Sequence, residues 1–246
     1  RFDDFGTSAV TLELSEGGTF RFDQSDSSNS GHPLRFSTTS DGTHGSGSEY
    51  TTGVTTSGTP GSSGAYTEIT VAASAPTLYY YCSVHSGMGG QANTPTTNSF
   101  SDFSGSIQSN VSPNTTAGFS IVSFTGTGAA ATVGHGLGAT PEMIFFKNRT
   151  DVINWTVYNK TIGSSKWIQL HSNAAQSANS ATMFNSTDPT SSVFSVKTFG
   201  GANGSGDDMI AYCFTSIKGY SKIDSYKGNG STDGAFVYTG FKPGWV

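Results

Sequence analysis

Short runs of alternating apolar and polar residues, separated by clusters of Gly, Ser, Thr and Asn, recur along the whole chain. Val10, Leu12 and Leu14 occupy every second position of one such run, and Phe20 and Phe22 do so in the next. A period of two places successive side chains on opposite faces of a β-strand. Runs of Ala, Leu, Glu and Lys with the spacing of a helix are missing. The chain is therefore predicted to be all-β, with short strands and many turns.

The composition narrows the range of partners. Only 12% of the residues are charged and the net charge is -5, whereas a nucleic-acid partner needs a basic surface. No run of apolar residues is long enough for a transmembrane helix, so membrane insertion is not expected. Low charge with abundant Ser, Thr, Asn and Gly suits an extracellular or particle surface. Both ends of the sequence resemble cuts, and we expect further sequence before Arg1 and after Val246.

The densest cluster of metal-binding side chains follows a predicted aromatic strand, Leu78 to Cys82. Cys82, His85 and Met88 bring a thiolate, an imidazole and a thioether within seven residues. One Cys, two His and a weak Met form the ligand set of a blue-copper site. The candidate for the second imidazole is His32, at the start of its own predicted strand, because strand ends gather at one pole of a β-sandwich. The sequence therefore indicates a copper site, with the metal ligands His32, Cys82, His85 and Met88.

This part of the chain resembles the cupredoxin family, over roughly residues 8–95. The resemblance rests on His32-Pro33, on the aromatic strand and on the C-x2-H-x2-M spacing. It implies a Greek-key β-sandwich in which His32, Cys82 and His85 form a trigonal set and Met88 is a weak axial ligand. Such a closed site favours electron transfer or structural clamping over catalysis. The alternative is a retained loop in which Cys82 and Met88 only pack.

His44 is not expected to bind the metal, and the two cysteines are not expected to pair with each other. His44 lies among Gly and Ser, which is typical of a solvated loop residue rather than a ligand. The two cysteines, Cys82 and Cys213, fall in different predicted domains, so no disulfide is expected between them. The cupredoxin-like domain is predicted to span residues 1–92.

The second half is predicted to be a separate β-sandwich or jelly-roll domain, residues 118–246, with seven or eight strands at close spacing. Residues 93–117 are polar and punctuated by Pro, which predicts an extended linker. Residues 219–246 resemble a partial repeat of the start of the domain, and we expect them to complete the sandwich with additional strands. Gly134–Gly138 lacks the Lys of a phosphate-binding loop, so a turn with His135 packed locally is expected.

The second half also resembles a module of predicted tail-fibre and other structural proteins of marine bacteriophages, especially those of cyanobacteria. The matching stretches are Gly118–Phe124, Thr132–Gly138, Pro141–Asn148, Pro189–Ser195, Tyr212–Phe214 and Gly219–Pro243. The resemblance implies a phage structural protein at the virion surface, as a tail fibre, an appendage or a capsid decoration.

The expected function is therefore that of a non-enzymatic structural protein of a phage particle. Its expected partners are other virion proteins and further copies of itself, with a trimer as the oligomer typical of fibres. One alternative is an extracellular cupredoxin that carries electrons. The other is an adhesin that binds a host-surface glycan by stacking on Trp155, Tyr158 and Trp167, although packing is the commoner role of such aromatics.

Overall fold

The computed structural model describes residues 9–96, 99–177 and 182–244. The chain forms two compact units, Arg1–Ser101 and Asp102–Val246. Strands make up nearly all of the regular structure, so the all-β prediction is confirmed. Within the described ranges, no helix has both the length and the apolarity that crossing a membrane requires.

The first unit contains seven short strands in two sheets. They are β1 (Leu12–Glu13), β2 (Thr19–Asp23), β3 (Leu34–Ser37), β4 (Val54–Ser57), β5 (Tyr66–Thr70), β6 (Leu78–Cys82) and β7 (Gly89–Asn93). One sheet has the order β1-β7-β6-β3 and the other the order β2-β5-β4. Only β1 and β7 run parallel, and the other pairs are antiparallel.

The two sheets of the first unit bury their alternating apolar residues against each other. Phe22 of β2 meets Phe36 of β3 edge to face, with ring centroids 5.7 Å apart. Ile69 of β5 and Leu78 of β6 are fully buried, as the period of two predicts. Burial of each such side chain stabilises the fold by about 1.5–3 kcal/mol. This packing gives the unit its sandwich character.

The second unit is built on one large sheet. Its strands are β8 (Phe100–Asp102), which spans the unit boundary, β9 (Ser109–Asn114), β10 (Phe119–Thr125), β11 (Ala131–Gly134), β12 (Met143–Asn148), β13 (Thr156–Asn159), β14 (Ile168–Gln169), β15 (Val193–Val196) and β16 (Asp208–Phe214). The one short α-helix among the described residues of this unit is α1 (Gly200–Asn203). The large sheet has the order β14-β13-β12-β16-β10-β9-β8, and β11 pairs with β15 in a separate two-stranded sheet.

The large sheet is covered on one face by the small one. Val122 and Phe146 are fully buried on the inner face, and Phe194 of β15 packs edge to face on Phe146, with centroids 5.3 Å apart. Phe194 also contacts Phe124, at 6.1 Å between centroids. In strands β10, β12 and β16 every second residue is buried, and the residues between them are half-buried, or exposed at Thr125 and Asp208. The second unit is thus also layered sheet on sheet.

Residues 93–117 do not form the predicted linker. They contain the end of β7, all of β8 and all of β9, and β9 pairs with β10 along its whole length. Ile107, Ser109 and Val111 alternate inward and are buried. Because the neighbouring residues are polar and include Pro113, the period of two is not evident in the sequence. The boundary between the compact units therefore falls at Ser101–Asp102, earlier than the predicted domain start at residue 118.

The predicted partial repeat at residues 219–246, described as far as residue 244, does not complete the sandwich there. Residues 215–244, all of which the structure describes, contain no strand beyond the isolated bridge between Ile217 and Ser221. The strand that the repeat resembles, β10, already has a partner on each side, β9 and β16. Both edges of β10 are therefore already paired, and no further strand can hydrogen-bond to it. Most residues after Ser221 are exposed.

Candidate metal centre

Strand register brings His32 to Cys82. In the antiparallel pair of β3 and β6, Leu34 lies opposite Cys82. The Ser83 amide donates to the Pro33 carbonyl at 3.0 Å, which continues the pairing past the end of both strands. His32 precedes β3 by two residues and does not open the strand itself, yet it lies beside the thiol. The two residues are fifty positions apart in the sequence and adjacent in the fold.

A buried amide fixes the backbone around His32. Gln24 is only 4% exposed, and its Nε2 donates to the His32 carbonyl at 2.9 Å. Its Oε1 accepts from the Leu34 amide at 3.2 Å and from the Thr67 hydroxyl at 3.2 Å. Because both ends of the amide are bonded, the turn that carries His32 is held on the sheet.

The second imidazole comes from the loop between β6 and β7. The Cys82 amide donates to the Met88 carbonyl at 2.8 Å, which closes the loop into a tight turn. Gly87 lies in the left-handed region, with a φ of 74°, which glycine adopts without steric cost. The His85 amide points at the Cys82 sulfur at 3.4 Å. The loop therefore folds His85 back over the thiol.

Three of the four predicted ligands converge. Cys82 Sγ lies 3.8 Å from His32 Nδ1 and 3.6 Å from His85 Nδ1, and one ligand atom from each residue lies within 4.8 Å of the others. Metal–ligand bonds of about 2.0–2.3 Å place two donors on one ion about 3.3–4 Å apart. Both sulfur–nitrogen distances fall in that range. A thiolate and two imidazoles also form a donor set that copper and zinc accept.

The fourth predicted ligand is less enclosed. Met88 is 45% exposed, whereas Cys82 is 5% exposed. His32 is half-buried and His85 is exposed, so the cluster opens to solvent on the side of the loop. The axial role of Met88 stays a prediction, because the contact that the structure shows for it uses its backbone carbonyl.

Two residues outside the predicted set hold the loop. The Asp41 carboxylate accepts from the Ser86 hydroxyl at 2.6 Å and from the Gly87 amide at 2.9 Å. These bonds, with the Ser86 hydroxyl first, lower the pKa of Asp41 below its ordinary value. His44 is exposed as expected, but its Nε2–H donates to the Cys82 carbonyl at 3.1 Å. No local sequence pattern indicates this role for either residue, because both lie in a Gly- and Ser-rich stretch that predicts only an exposed loop.

The other chemically suggestive residues are packed. His135 is fully buried, and its ring bonds to the Thr190 carbonyl and the Leu137 amide, so the prediction of local packing is confirmed. The aromatics considered for a glycan also pack, namely Trp155 on Tyr212, Trp167 on Phe199 and Tyr158 on Phe184. Both cysteines are free thiols, Cys82 in the first unit and Cys213 in the second.

Comparison with known proteins assigns the chain to a family. Neither the curated proteins nor the solved structures contain a match to this chain. The profile of one protein family, described as a domain of unknown function, DUF7483, matches residues 29–246. The matched range includes all four predicted ligands and extends over most of the chain. The chain therefore belongs to the DUF7483 family.

Proposed function

We propose that the first unit binds one copper ion through Cys82, His32 and His85, with Met88 as a weak axial ligand. The observation that carries the proposal is the convergence of one sulfur and two imidazole nitrogens from two separate segments of the chain. Copper bound to such a set supplies one-electron transfer. With four protein ligands no position is left for a substrate, which favours an electron-carrying or clamping role over catalysis.

The donor chemistry favours copper over zinc. Structural zinc sites are usually tetrahedral and closed, commonly with two or more thiolates, whereas the set here has a single thiolate. Divalent copper also binds a given nitrogen and sulfur set more tightly than divalent zinc. The thiol of Cys82 is nearly enclosed, which would protect a copper–thiolate bond from solvent.

The test is a copper titration followed by the visible spectrum and by elemental analysis. A copper(II)–thiolate site absorbs intensely towards the red end of the visible range, and the expected stoichiometry is one ion per chain. The Cys82→Ser variant should lose the absorption, while the control Cys213→Ala, which alters the other free thiol, should retain it. A colourless protein after loading, or unchanged copper content in Cys82→Ser, would overturn the proposal.

A structural role in a phage particle is the second candidate, and one observation favours it. The segment after β16 exposes a series of large apolar side chains: Tyr220 (64%), Tyr226 (70%), Phe236 (91%), Val237 (47%) and Tyr238 (73%). Clusters of exposed apolar side chains are typical of surfaces that contact other proteins. Assembly into an oligomer at a virion surface would cover this segment.

The mass of the chain in solution tests this second candidate. Light scattering should give a multiple of 25.6 kDa that shifts towards the monomer in the double variant Phe236→Ser, Tyr238→Ser. Val152→Ser is the matched control, because Val152 is fully exposed in the same unit but lies outside the segment. A wild-type chain that stays monomeric at high concentration would contradict the assembly role.

A further inference from the structure

The segment from Asp41 to Ser46 is held in an uncommon conformation next to the metal cluster. Asp41 has a φ of 58° and Ser46 a φ of 65°, and between them Gly42–Gly45 forms one turn of 3-10 helix. Non-glycine residues adopt this left-handed region rarely, so two of them around one short turn are held there by their surroundings. The strained turn projects Asp41 and His44 towards the loop after β6.

The Asp41 carboxylate binds the far part of that loop. One oxygen accepts from the Ser86 hydroxyl and the other from the Gly87 amide, at 2.6 and 2.9 Å. Both donors directly follow His85 in the chain. Hydrogen bonds to a carboxylate are stronger than those between neutral groups, so this pair is a firm attachment.

The near end of the loop is bonded by His44. Its Nε2–H donates to the Cys82 carbonyl at 3.1 Å, and its ring meets the Tyr81 ring edge to face, with centroids 6.3 Å apart. Tyr81 in turn lies over Gly42, where an added Cβ would come within 2.4 Å of the ring. Close packing thus sets the distance between the strained turn and the end of β6.

His85 is therefore held between two attachments to the same turn. One attachment is at the Cys82 carbonyl, and the other is at Ser86 and Gly87. His85 itself and Val84 are exposed, so packing does little to order this part of the loop. A loop that is already ordered loses less conformational freedom when it binds a ligand.

We propose that Asp41 and His44 are positioning residues that hold the loop in its metal-binding geometry before any metal arrives. The inference rests on the proposed copper site. It adds that the turn Gly42–Gly45, together with Asp41, determines the copper affinity and the coordination geometry of that site. These bonds reach the Cys82 carbonyl, the Ser86 hydroxyl and the Gly87 amide, so they act on the ligands by holding the loop and not by direct contact with a ligand atom.

The test compares Asp41→Ala and His44→Phe with the wild type in two measurements. In the metal-free protein, the Gly87 amide should exchange its hydrogen with solvent about tenfold faster in Asp41→Ala, because its acceptor is lost. With copper, both variants should bind about tenfold more weakly and show a changed visible and paramagnetic spectrum. His44→Gln, which retains a side-chain N–H donor, should restore the spectrum in part.

A control variant and a milder variant separate a specific effect on the loop from a general loss of folding. Asp224→Ala removes a carboxylate that accepts from the Ser225 amide in the other unit, and it should change neither measurement. Should Asp41→Ala fail to fold, Ser86→Ala removes only one of the two bonds. Unchanged amide exchange and unchanged copper affinity in the variants would overturn the inference. A wild type that binds no copper would instead overturn the proposed function, and the amide exchange would still show whether the turn holds the loop.

Discussion

Leu34 lies directly opposite Cys82 in the antiparallel pairing of β3 and β6, and this register places His32 beside the thiol. A shift of one residue would move His32 away and would turn each β3 side chain to the opposite face. Phe36, fully buried on the same strand, would then leave the core. The metal cluster is thus tied to the hydrophobic core, because the same register serves both.

The two thiols should differ in reactivity. Burial raises the pKa of the Cys213 thiol far above its ordinary value, and the residue is fully enclosed. Since the thiolate is the reactive form, Cys213 should be inert in the native protein. Cys82 borders the exposed His85 and should be alkylated first by iodoacetamide in the metal-free chain, as peptide mapping would show. Copper should protect Cys82, and equal rates for the two thiols would contradict this picture.

Gly42→Ala should destabilise the first unit. The new methyl would lie 2.4 Å from the Tyr81 ring, and the residue has a φ of 54°. Overpacking costs about 1–3 kcal/mol, and the left-handed conformation adds about 1–2 kcal/mol for a residue with a Cβ. Gly64→Ala is the matched control, because its φ is 78° with nothing within 4 Å of the new methyl. Thermal unfolding should therefore show the larger loss for Gly42→Ala, and equal losses would argue against a tight contact with Tyr81.

The second unit should lose stability as the pH falls below neutral. Burial lowers the pKa of His135 from its ordinary value of 6.5. The unfolded chain therefore takes up a proton near pH 6.5, while the folded chain resists it. Stability is complete above that pH and declines between 6.5 and the lower folded pKa, by at most about 1.4 kcal/mol per pH unit.

The variant His135→Asn isolates this effect. It should be less stable than the wild type at pH 7.5, by about 1–3 kcal/mol for the lost bond to the Thr190 carbonyl. It should also show a flatter decline towards pH 5.5. Denaturant unfolding followed by Trp fluorescence reports on the second unit, because all three Trp residues lie in it. A decline as steep as that of the wild type would exclude His135 as its source.

Replacement of Asn203 should destabilise the second unit. It is fully buried, its Oδ1 accepts from the Thr127 amide, and its Nδ2 donates to the carbonyls of Ala129 and Lys197. Asn203→Ala would leave these groups without a partner, at a cost of about 1–3 kcal/mol for each group left unsatisfied. The exposed Asn154→Ala is the control and should be near neutral in the same fluorescence measurement.

Local sequence was sufficient where a short run is dominated by apolar residues. The runs Phe119–Phe124 and Met143–Phe146 predict β10 and β12, and both are present. The sequence pattern was insufficient at β9 and just before it, where Ile107, Ser109 and Val111 are buried among polar neighbours. A buried Ser cannot be told from a loop Ser in the sequence. It is the pairing with β10 that makes those positions interior.

The candidate site divides in the same way. Cys82, His85 and Met88 are close in sequence, so their spacing alone indicates a metal-binding loop. His32 was predicted as the second imidazole from its place at the start of a predicted strand. Asp41 and His44 could not be found, because their role depends on a contact across about forty residues of chain. Asp41 makes this contact from a left-handed backbone conformation, and the identity of the residue does not reveal that conformation in the sequence.

The sequence by itself determined the β class, the two-part organisation and the local ligand loop, since each follows from periods and spacings of a few residues. Only the tertiary structure decided that the predicted linker contains strands β8 and β9, that residues 219–244 add no further strand, and that Asp41 and His44 hold the loop of His85. The physical reason is that strand partners and close contacts are chosen by burial and register across the whole fold, and these act between residues far apart in the chain.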